Sequence, residues 1–186
     1  YGNDVKTEYI YDDKTFRLRN LESKRIDNSL LQKLNYVYDP SGNLTTITDD
    51  AVPTVFFNNM QFGSKNNYKY DAVYRLTEAT GRENDSSLQF DGSDNWNDAW
   101  YMHQHIYGDS MAMRAYAQTY EYDSVGNILQ MKHNTSNTQN NWKRGYEYES
   151  ANNRLINTKV GSQTYLYPHH LKHGFITTMP HLQDIG

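Results

Sequence analysis

Residues 36–47 read YVYDPSGNLTTI, and this stretch decides the fold. Tyr36 and Tyr38 lie two positions apart, so on a strand their side chains share one face. The central DPSG is turn chemistry, because an aspartate accepts hydrogen bonds from backbone amides ahead of it and proline presets φ. Tyrosine, valine, threonine and isoleucine on either side are strand formers. The stretch therefore predicts a β-hairpin.

The Tyr-x-Tyr-Asp signature of this hairpin recurs along the chain. Four copies keep the aspartate, a fifth carries glutamate and a sixth carries proline in its place; they begin at Tyr9, Tyr36, Tyr68, Tyr120, Tyr146 and Tyr165. A strict solenoid would hold its period better than these unevenly spaced copies do. We therefore expect an all-β fold, in which an array of antiparallel hairpins forms part of a curled or spiralling sheet shell.

The turns come in two sequence types, one with Gly-Asn before an apolar residue and one with an aromatic residue or Asn before Arg-Leu. A catalytic carboxylate pair needs two different environments, whereas a repeat supplies the same environment each time. We therefore interpret the repeated acids and their partners as structural turn residues: Asp12, Asp39, Gly42, Asn43, Asp71, Asp123, Gly126 and Asn127. Glu149 takes the place of the aspartate in the fifth copy.

The returning half of each of the first four repeats spaces its apolar residues three apart, as in Leu44 and Ile47 or Leu76 and Ala79. Simple strand alternation has a period of two. The spacing predicts a β-bulge, a strong twist, or strands that are buried on both faces.

The repeats divide the chain into three parts. Residues 1–80 hold repeats 1–3, residues 81–119 form an irregular insert in which a short helix is one expectation, and residues 120–186 hold repeats 4–6. The last repeat is degenerate. The chain opens and closes in mid-pattern, so we expect a fragment of a larger repeat protein.

Composition narrows the function classes. The chain has 186 residues and is 14% aromatic, which argues against disorder. Hydrophobic residues make up 37%, and 17 tyrosines suit a thin structure whose buried surface is amphipathic. The net charge of −4 comes without a basic stripe, so no nucleic acid is expected. No apolar run approaches the roughly 18 residues of a membrane helix, so no membrane span is expected.

Two small sets of residues outside the repeat frame are weak candidates for binding. His103 and His105 would share one face of a strand, but no third ligand is fixed by spacing, so no metal and no cofactor are predicted. An aromatic set could stack on the sugar rings of a cell-surface glycan or pack locally: Trp96, Trp100, Tyr101 and Trp142. No catalytic residue is predicted; a glycosidase that uses two of the repeated acids is a further reading.

Several strings resemble the YD repeats of Rhs and toxin-complex proteins. Residues 70–83 read YDAVYRLTEATGRE, residues 120–129 read YEYDSVGNIL and residues 177–182 read TTMPHL. Together they resemble the Rhs-repeat region of the C component of bacterial insecticidal toxin complexes. The final repeat departs from the family pattern, because Phe175 stands where the turn asparagine is usual.

The resemblance implies a hollow β-shell that encloses a toxic C-terminal cargo. It implies that the partners are further repeats, a B-type subunit of the toxin complex and the enclosed cargo, and that the protein is bacterial and secreted or extracellular. This segment would be structural and not an enzyme, and no residue here matches the family's self-cleaving segment. YD-repeat proteins of animals act in adhesion, so a carbohydrate-binding or cell-surface-binding module is the alternative.

Overall fold

A computed structural model describes residues 2, 4–84, 112–136, 138, 141–161 and 163–167. These residues form β-strands and turns, with no α-helix among them, which confirms the predicted all-β class. The strands are β1 Lys6–Tyr11, β2 Leu18–Lys24, β3 Leu30–Tyr38, β4 Leu44–Asp49, β5 Val55–Phe57, β6 Met60–Phe62, β7 Asn66–Tyr70, β8 Leu76–Asn84, β9 Met113–Tyr122, β10 Ile128–Thr135, β11 Trp142–Tyr148, β12 Leu155–Val160 and β13 Gln163–Leu166.

The described strands build one long antiparallel sheet and a separate small hairpin. Eleven strands run in the order β1-β2-β3-β4-β7-β8-β9-β10-β11-β12-β13, and β5 pairs with β6. Each of the first five repeats is one hairpin of the sheet: β1–β2, β3–β4, β7–β8, β9–β10 and β11–β12. We number these hairpins, and the turns that close them, 1 to 5. The repeat unit is therefore a hairpin, as predicted.

The two tyrosines of each motif lie on one side of the sheet, which we call the tyrosine face. The residue between them points to the opposite face, where Val37 is 54% exposed. Ion pairs on that opposite face join Lys69 to Glu78 at 2.9 Å and Lys132 to Glu121 at 2.8 Å. Few side chains are fully buried on either side, because a sheet one layer thick leaves most residues half-exposed.

Each of hairpins 1 to 5 has a β-bulge beside its turn. In hairpin 2, Tyr36 pairs with Ile47 and Tyr38 pairs with Leu44, so Thr45 is one extra residue on the returning strand. The register shifts at the same place in the other four hairpins, where the extra residues are Arg19, Thr77, Leu129 and Ile156. The predicted bulge is confirmed, and it explains the apolar spacing of three: the bulge keeps both apolar residues opposite tyrosines.

The sheet extends into the segment assigned to the irregular insert. Residues 81–84 continue β8, residues 113–119 belong to β9, and the two strands pair from Glu78 with Thr119 to Asn84 with Met113. Residues 85–111, in which a short helix was one expectation, lie outside the described residues, as do residues 168–186 of the degenerate repeat. Within the described part, no helix reaches the length and apolarity that a membrane crossing requires.

The small β5–β6 hairpin was not predicted, and it adds a local second layer. Asn58 and Asn59 turn it with φ of 49° and 61°, the left-handed conformation that two-residue hairpin turns need. Val55 and Phe62 are buried, and the hairpin lies against β9. Arg82 on β8 holds it, because its Nη1 donates to the Phe62 carbonyl at 3.0 Å. Most of the buried apolar residues in the described part therefore lie near β8 and β9, and Val160 on β12 is a further one.

Candidate functional site

The repeated carboxylates lie in the turns and bind their own backbone. Asp39 Oδ1 accepts hydrogen bonds from the Gly42 and Asn43 amides, both at 2.8 Å, and Oδ2 accepts one from Asn43 Nδ2 at 2.8 Å. Asp123 makes the matching pair of bonds with Asn127, at 2.8 Å each. The asparagine of this turn type therefore bonds both carboxylate oxygens.

In turn 3, an arginine side chain takes the place of the asparagine and also donates to the turn acid. Asp71 Oδ1 accepts from the Arg75 amide at 2.9 Å, and Oδ2 accepts from Arg75 Nε at 2.7 Å. Asp12, in the longer turn 1, accepts from the Thr15 amide at 2.8 Å and from the Lys14 amide at 3.1 Å. Arginine Nε thus replaces asparagine Nδ2 at one position of the turn.

These bonds keep the turn acids ionised. The Asn43 side chain, which donates to the carboxylate, holds the pKa of Asp39 below its ordinary value of 3.8. In Asp12 the Thr15 amide is the main cause of the lowered pKa. In the described structure these carboxylates therefore act as hydrogen-bond acceptors within their own turns.

One position in each turn has a positive φ. Gly42 and Gly126 have φ of 105° and 100°, while the equivalent residues of the longer or arginine-containing turns lie near 60°: Phe16, Tyr74 and Asn153. The backbone demand is therefore the same in all five turns. Sequence alone hides this at Phe16 and Tyr74, because aromatic residues rarely adopt a left-handed conformation.

The second tyrosine of each motif joins its hairpin to the one before. Its hydroxyl donates to the carbonyl of the first residue of the preceding returning strand: Tyr38 to Leu18 at 2.9 Å, Tyr70 to Leu44 at 2.8 Å, Tyr122 to Leu76 at 2.7 Å and Tyr148 to Ile128 at 3.0 Å. We call this set of bonds the tyrosine ladder. Sequence reasoning placed the tyrosines on one face but did not find these partners.

Arginine adds a second connection between neighbouring turns. Arg17 of turn 1 donates from Nη1 to the Asp39 carbonyl at 2.9 Å, and Arg75 of turn 3 donates to the Asp123 carbonyl at 2.9 Å. Each guanidinium also lies over the next ladder tyrosine, at 5.7 Å from the Tyr38 centroid and 4.8 Å from the Tyr122 centroid. The repeat therefore encodes contacts between hairpins as well as the hairpins themselves.

A polar cluster that the sequence did not reveal crosses strands β8 to β10. Arg114 donates from Nε to Glu83 at 2.6 Å, and His133 Nε2 lies 3.2 Å from the same carboxylate. His133 Nδ1 lies 3.1 Å from Gln118 Nε2, and Tyr120 donates to Gln118 Oε1 at 2.9 Å. Since Gln118 donates to Nδ1, this network assigns the proton of a neutral His133 to Nε2.

The polar cluster is enclosed by aromatic rings. The His133 ring stacks between Tyr116 at 5.3 Å and Trp142 at 5.2 Å, measured between centroids. Burial opposes ionisation of Glu83, yet the hydrogen bonds from His133 and Arg114 leave its pKa below the ordinary value of 4.5. The carboxylate is therefore ionised and paired. The cluster connects strands that are far apart in the sequence, so the sequence alone did not predict it.

Of the candidate glycan and metal residues, Trp142 lies in the described part of the chain. Trp142 stacks on His133, and the Arg144 guanidinium lies 5.9 Å from its ring. Trp96, Trp100, Tyr101, His103 and His105 lie outside the described residues. In the part of the chain that is described, no group of three or more His, Cys, Asp or Glu residues could hold a metal ion.

Comparisons with known proteins identify relatives of this chain, although no family model matches it. It is 35% identical over 160 residues to the toxin subunit YenC2 and 32% identical over 161 residues to the toxin subunit YenC1, both from Yersinia entomophaga. These alignments cover 83% and 84% of the chain. The chain spans 16% of the length of each relative.

Solved structures match both sequence and fold. A crystal structure of TcdB2-TccC3-Cdc42 superposes with a TM-score of 0.63 at 34% identity, over 86% of this chain and 7% of that one. The Photorhabdus luminescens Tc holotoxin pore with the TccC3 mutation D651A gives a TM-score of 0.63 at 34% identity, over 84% of this chain and 7% of that one.

Proposed function

This chain is homologous to the toxin-complex C subunits and belongs to their Rhs-repeat region, and from that premise we propose that it forms part of the wall of a shell around a C-terminal toxin cargo. The observation that carries the proposal is the single sheet of eleven strands in which hairpins are joined side by side. A container wall needs lateral continuity and little thickness.

The contacts between hairpins suit a wall. The tyrosine ladder bonds each hairpin to its predecessor, and each described rung adds one hydrogen bond outside the sheet's own backbone pairing. Arg17 and Arg75 add bonds from turn to turn along the edge of the sheet. Because each repeat contacts its neighbours in the same way, the wall can be lengthened by adding hairpins.

We assign the turn residues a structural role and no catalysis. Asp12, Asp39, Asp71 and Asp123 each use their carboxylate on the backbone of their own turn. An acid so engaged is not available to exchange protons with a substrate. We assign Asn43 and Asn127 a structural role as well, because their side chains donate hydrogen bonds to Asp39 and Asp123.

The proposed partners follow from the relatives. The similar crystal structure of TcdB2-TccC3-Cdc42 combines TccC3 with TcdB2 and Cdc42. We propose that this chain likewise lies in an assembly with a B-type subunit and an enclosed cargo. Secretion from a bacterium goes with that role, since the relatives are toxin subunits.

The test is protection of the cargo from protease in the intact protein assembled with its B-type partner. We expect the C-terminal cargo to resist digestion that destroys the same cargo expressed alone. A variant with Tyr38, Tyr70 and Tyr122 changed to Phe removes three rungs of the ladder and should expose the cargo faster. Tyr74→Phe is the matched control, because Tyr74 is 62% exposed.

Two results would contradict the proposal. The first is a cargo digested in the assembly as fast as when it is alone. The second is a loss of released-cargo activity when Asp39 or Asp123 is changed to Asn, because a purely structural turn acid affects enclosure and not the chemistry of the cargo.

A further inference from the structure

Two junctions between neighbouring turns hold a guanidinium group from the chain itself. Arg17 lies over Tyr38 and donates to the Asp39 carbonyl at the junction of turns 1 and 2. Arg75 makes the same two kinds of contact at the junction of turns 3 and 4. In each case a ladder tyrosine forms the floor and a turn carbonyl accepts the bond. The molecule therefore shows twice which chemical group fits this kind of junction.

The junction between turns 4 and 5 has the ladder tyrosine, Tyr148, but in the described part of the chain no guanidinium group lies over its ring. Asn127 stands at the arginine position, and its Nδ2 donates to its own turn acid, Asp123, at 2.8 Å. Among the described residues no cation lies over the Tyr148 ring. An open groove of about 450 Å³ lies beside turns 4 and 5, and its lining includes Asp123, Asn127, Tyr148, Glu149 and Ser150 from the turns, together with Glu147 and Ile156 from the strands. We call it the turn 4–5 groove.

The acid of turn 5 also differs from those of the other turns. The carboxylates of Asp12, Asp39, Asp71 and Asp123 accept bonds from the backbone amides of their own turns. Glu149 is longer; its Oε2 accepts from Asn152 Nδ2 at 3.0 Å and lies 3.7 Å from Arg154 Nε. In the described structure Oε1 has no such bond. Glu149 is one of the residues that line the groove, so its carboxylate can accept a further bond from a group that enters the groove.

The junction between turns 2 and 3 makes the contrast clear. It too has an asparagine, Asn43, and a ladder tyrosine, Tyr70. Its acid Asp71, however, already accepts bonds from the Val73 and Arg75 amides and from Arg75 Nε. An aromatic floor, a groove and an available carboxylate occur together at the turn 4–5 groove.

We propose that the turn 4–5 groove binds the guanidinium group of an arginine side chain from another polypeptide segment. The Tyr148 ring would carry the cation–π contact, and Glu149 would supply a charge-assisted hydrogen bond. Arginine fits better than lysine, because its planar fork can donate to a carboxylate and stack on a ring at the same time.

The test uses fluorine NMR on the intact protein with 3-fluorotyrosine at position 148. The probe is N-acetylarginine methylamide, and we expect a saturable shift of the fluorine resonance. The citrulline analogue has the same shape without the charge and should produce no saturable shift. The same label at position 122 should not respond, because Arg75 already covers that ring.

Two variants connect the shift to the groove. Asn127→Arg should fill the groove from within, as Arg75 does at its own junction, and weaken probe binding by about tenfold or more. Glu149→Gln should weaken it in the same direction. The proposal is overturned by an absent shift at position 148, by equal binding of the citrulline analogue, or by equal binding of the lysine analogue.

Discussion

Gly42 and Gly126 occupy the same place in two turns and have nearly the same φ, 105° and 100°. A side chain is strained at such values, so Gly126→Ala should lower the local free energy of unfolding by about 1–2 kcal/mol. Space is open around Gly126, so this loss measures backbone strain alone. Native-state hydrogen exchange of hairpin 4 measures it.

Gly42→Ala should reduce stability more than Gly126→Ala does. Its Cβ would lie 2.9 Å from Arg17 Nη2, so the guanidinium that joins turns 1 and 2 must also move. Equal effects at the two glycines would contradict the connection between these turns, whereas no effect at either would contradict the assigned turn geometry.

Tyr70→Phe tests one rung of the ladder. The Tyr70 hydroxyl donates to the Leu44 carbonyl at 2.8 Å, and its loss should lower the stability of the junction between hairpins 2 and 3 by about 1 kcal/mol. Tyr74→Phe removes a hydroxyl from an exposed ring and should change stability by less than about 0.5 kcal/mol. Chemical denaturation of both variants measures the two changes in unfolding free energy. Equal changes would argue against the hydrogen bond from Tyr70 to Leu44.

The lowered pKa of Asp39 predicts how the stability of turn 2 depends on pH. Its pKa is lowered in the folded state, chiefly by Asn43, from an ordinary value of 3.8. The stabilisation is present above that ordinary value and is lost as the pH falls through the folded pKa. Hydrogen exchange followed down to acidic pH should show hairpin 2 loosening there, and Asp39→Asn should flatten its response. Hairpin 4, which keeps Asp123, serves as the internal control.

At the scale of the residue, the sequence predicted the turns and the shared face of the tyrosines. It did not predict the hydrogen-bond partners of the tyrosine hydroxyls. The position of Asp39 before Pro-Ser-Gly indicated a turn, and the spacing of Tyr36 and Tyr38 indicated a shared face. The partner of the Tyr38 hydroxyl is Leu18, 20 residues earlier. That contact depends on the register between hairpins, which a single repeat does not specify.

Hairpins are joined through their turns, and Arg75 shows how much one side chain contributes. Arg75→Asn should keep the bond to Asp71 within turn 3 while losing the Asp123 carbonyl and the Tyr122 ring. We expect the junction of hairpins 3 and 4 to lose about 1–2 kcal/mol, measured by hydrogen exchange on β8 and β9.

Arg75→Lys is the matched control for charge. Lysine keeps the cation but cannot donate to Asp71 and to the Asp123 carbonyl from one planar group. It should therefore fall short of wild type. Full stability in the lysine variant would show that charge alone accounts for the junction.

The polar cluster on β8 to β10 predicts a larger effect. Glu83→Gln would remove the ion pair that Glu83 makes at 2.6 Å with Arg114, which is 3% exposed, and should cost about 3 kcal/mol. Thermal unfolding measures the change. Glu78→Gln, on the same strand with a half-exposed ion pair to Lys69, should change stability by less than about 1 kcal/mol. Equal losses would contradict the burial argument.

This cluster and the β5–β6 hairpin were missed for physical reasons. Glu83 and His133 are 50 residues apart, and only the pairing of β8, β9 and β10 brings them together. The strand signals of residues 55–62 are short, and their Asn58-Asn59 turn lies outside the repeat pattern. The bulge, by contrast, was one of the three expectations drawn from the apolar spacing of three, which recurs in the first four repeats.

At the scale of the whole molecule, the described residues form a sheet with little core, so the stability of this part is spread over the junctions between hairpins. Among the described residues the buried apolar side chains are few, and Val55, Phe62 and Ala79 are three of them. Each hairpin contacts mainly its neighbours, as in a solenoid. A wall of this kind gains stability when both ends of the sheet are continued by further strands.

Electron cryomicroscopy of the intact protein with its B-type partner tests the central claim most directly. We predict that these residues form a stretch of single-layer wall, with solvent on one face and an enclosed lumen holding the cargo on the other. A map in which both faces of the sheet meet solvent, or in which a second sheet packs along its whole length, would contradict the account.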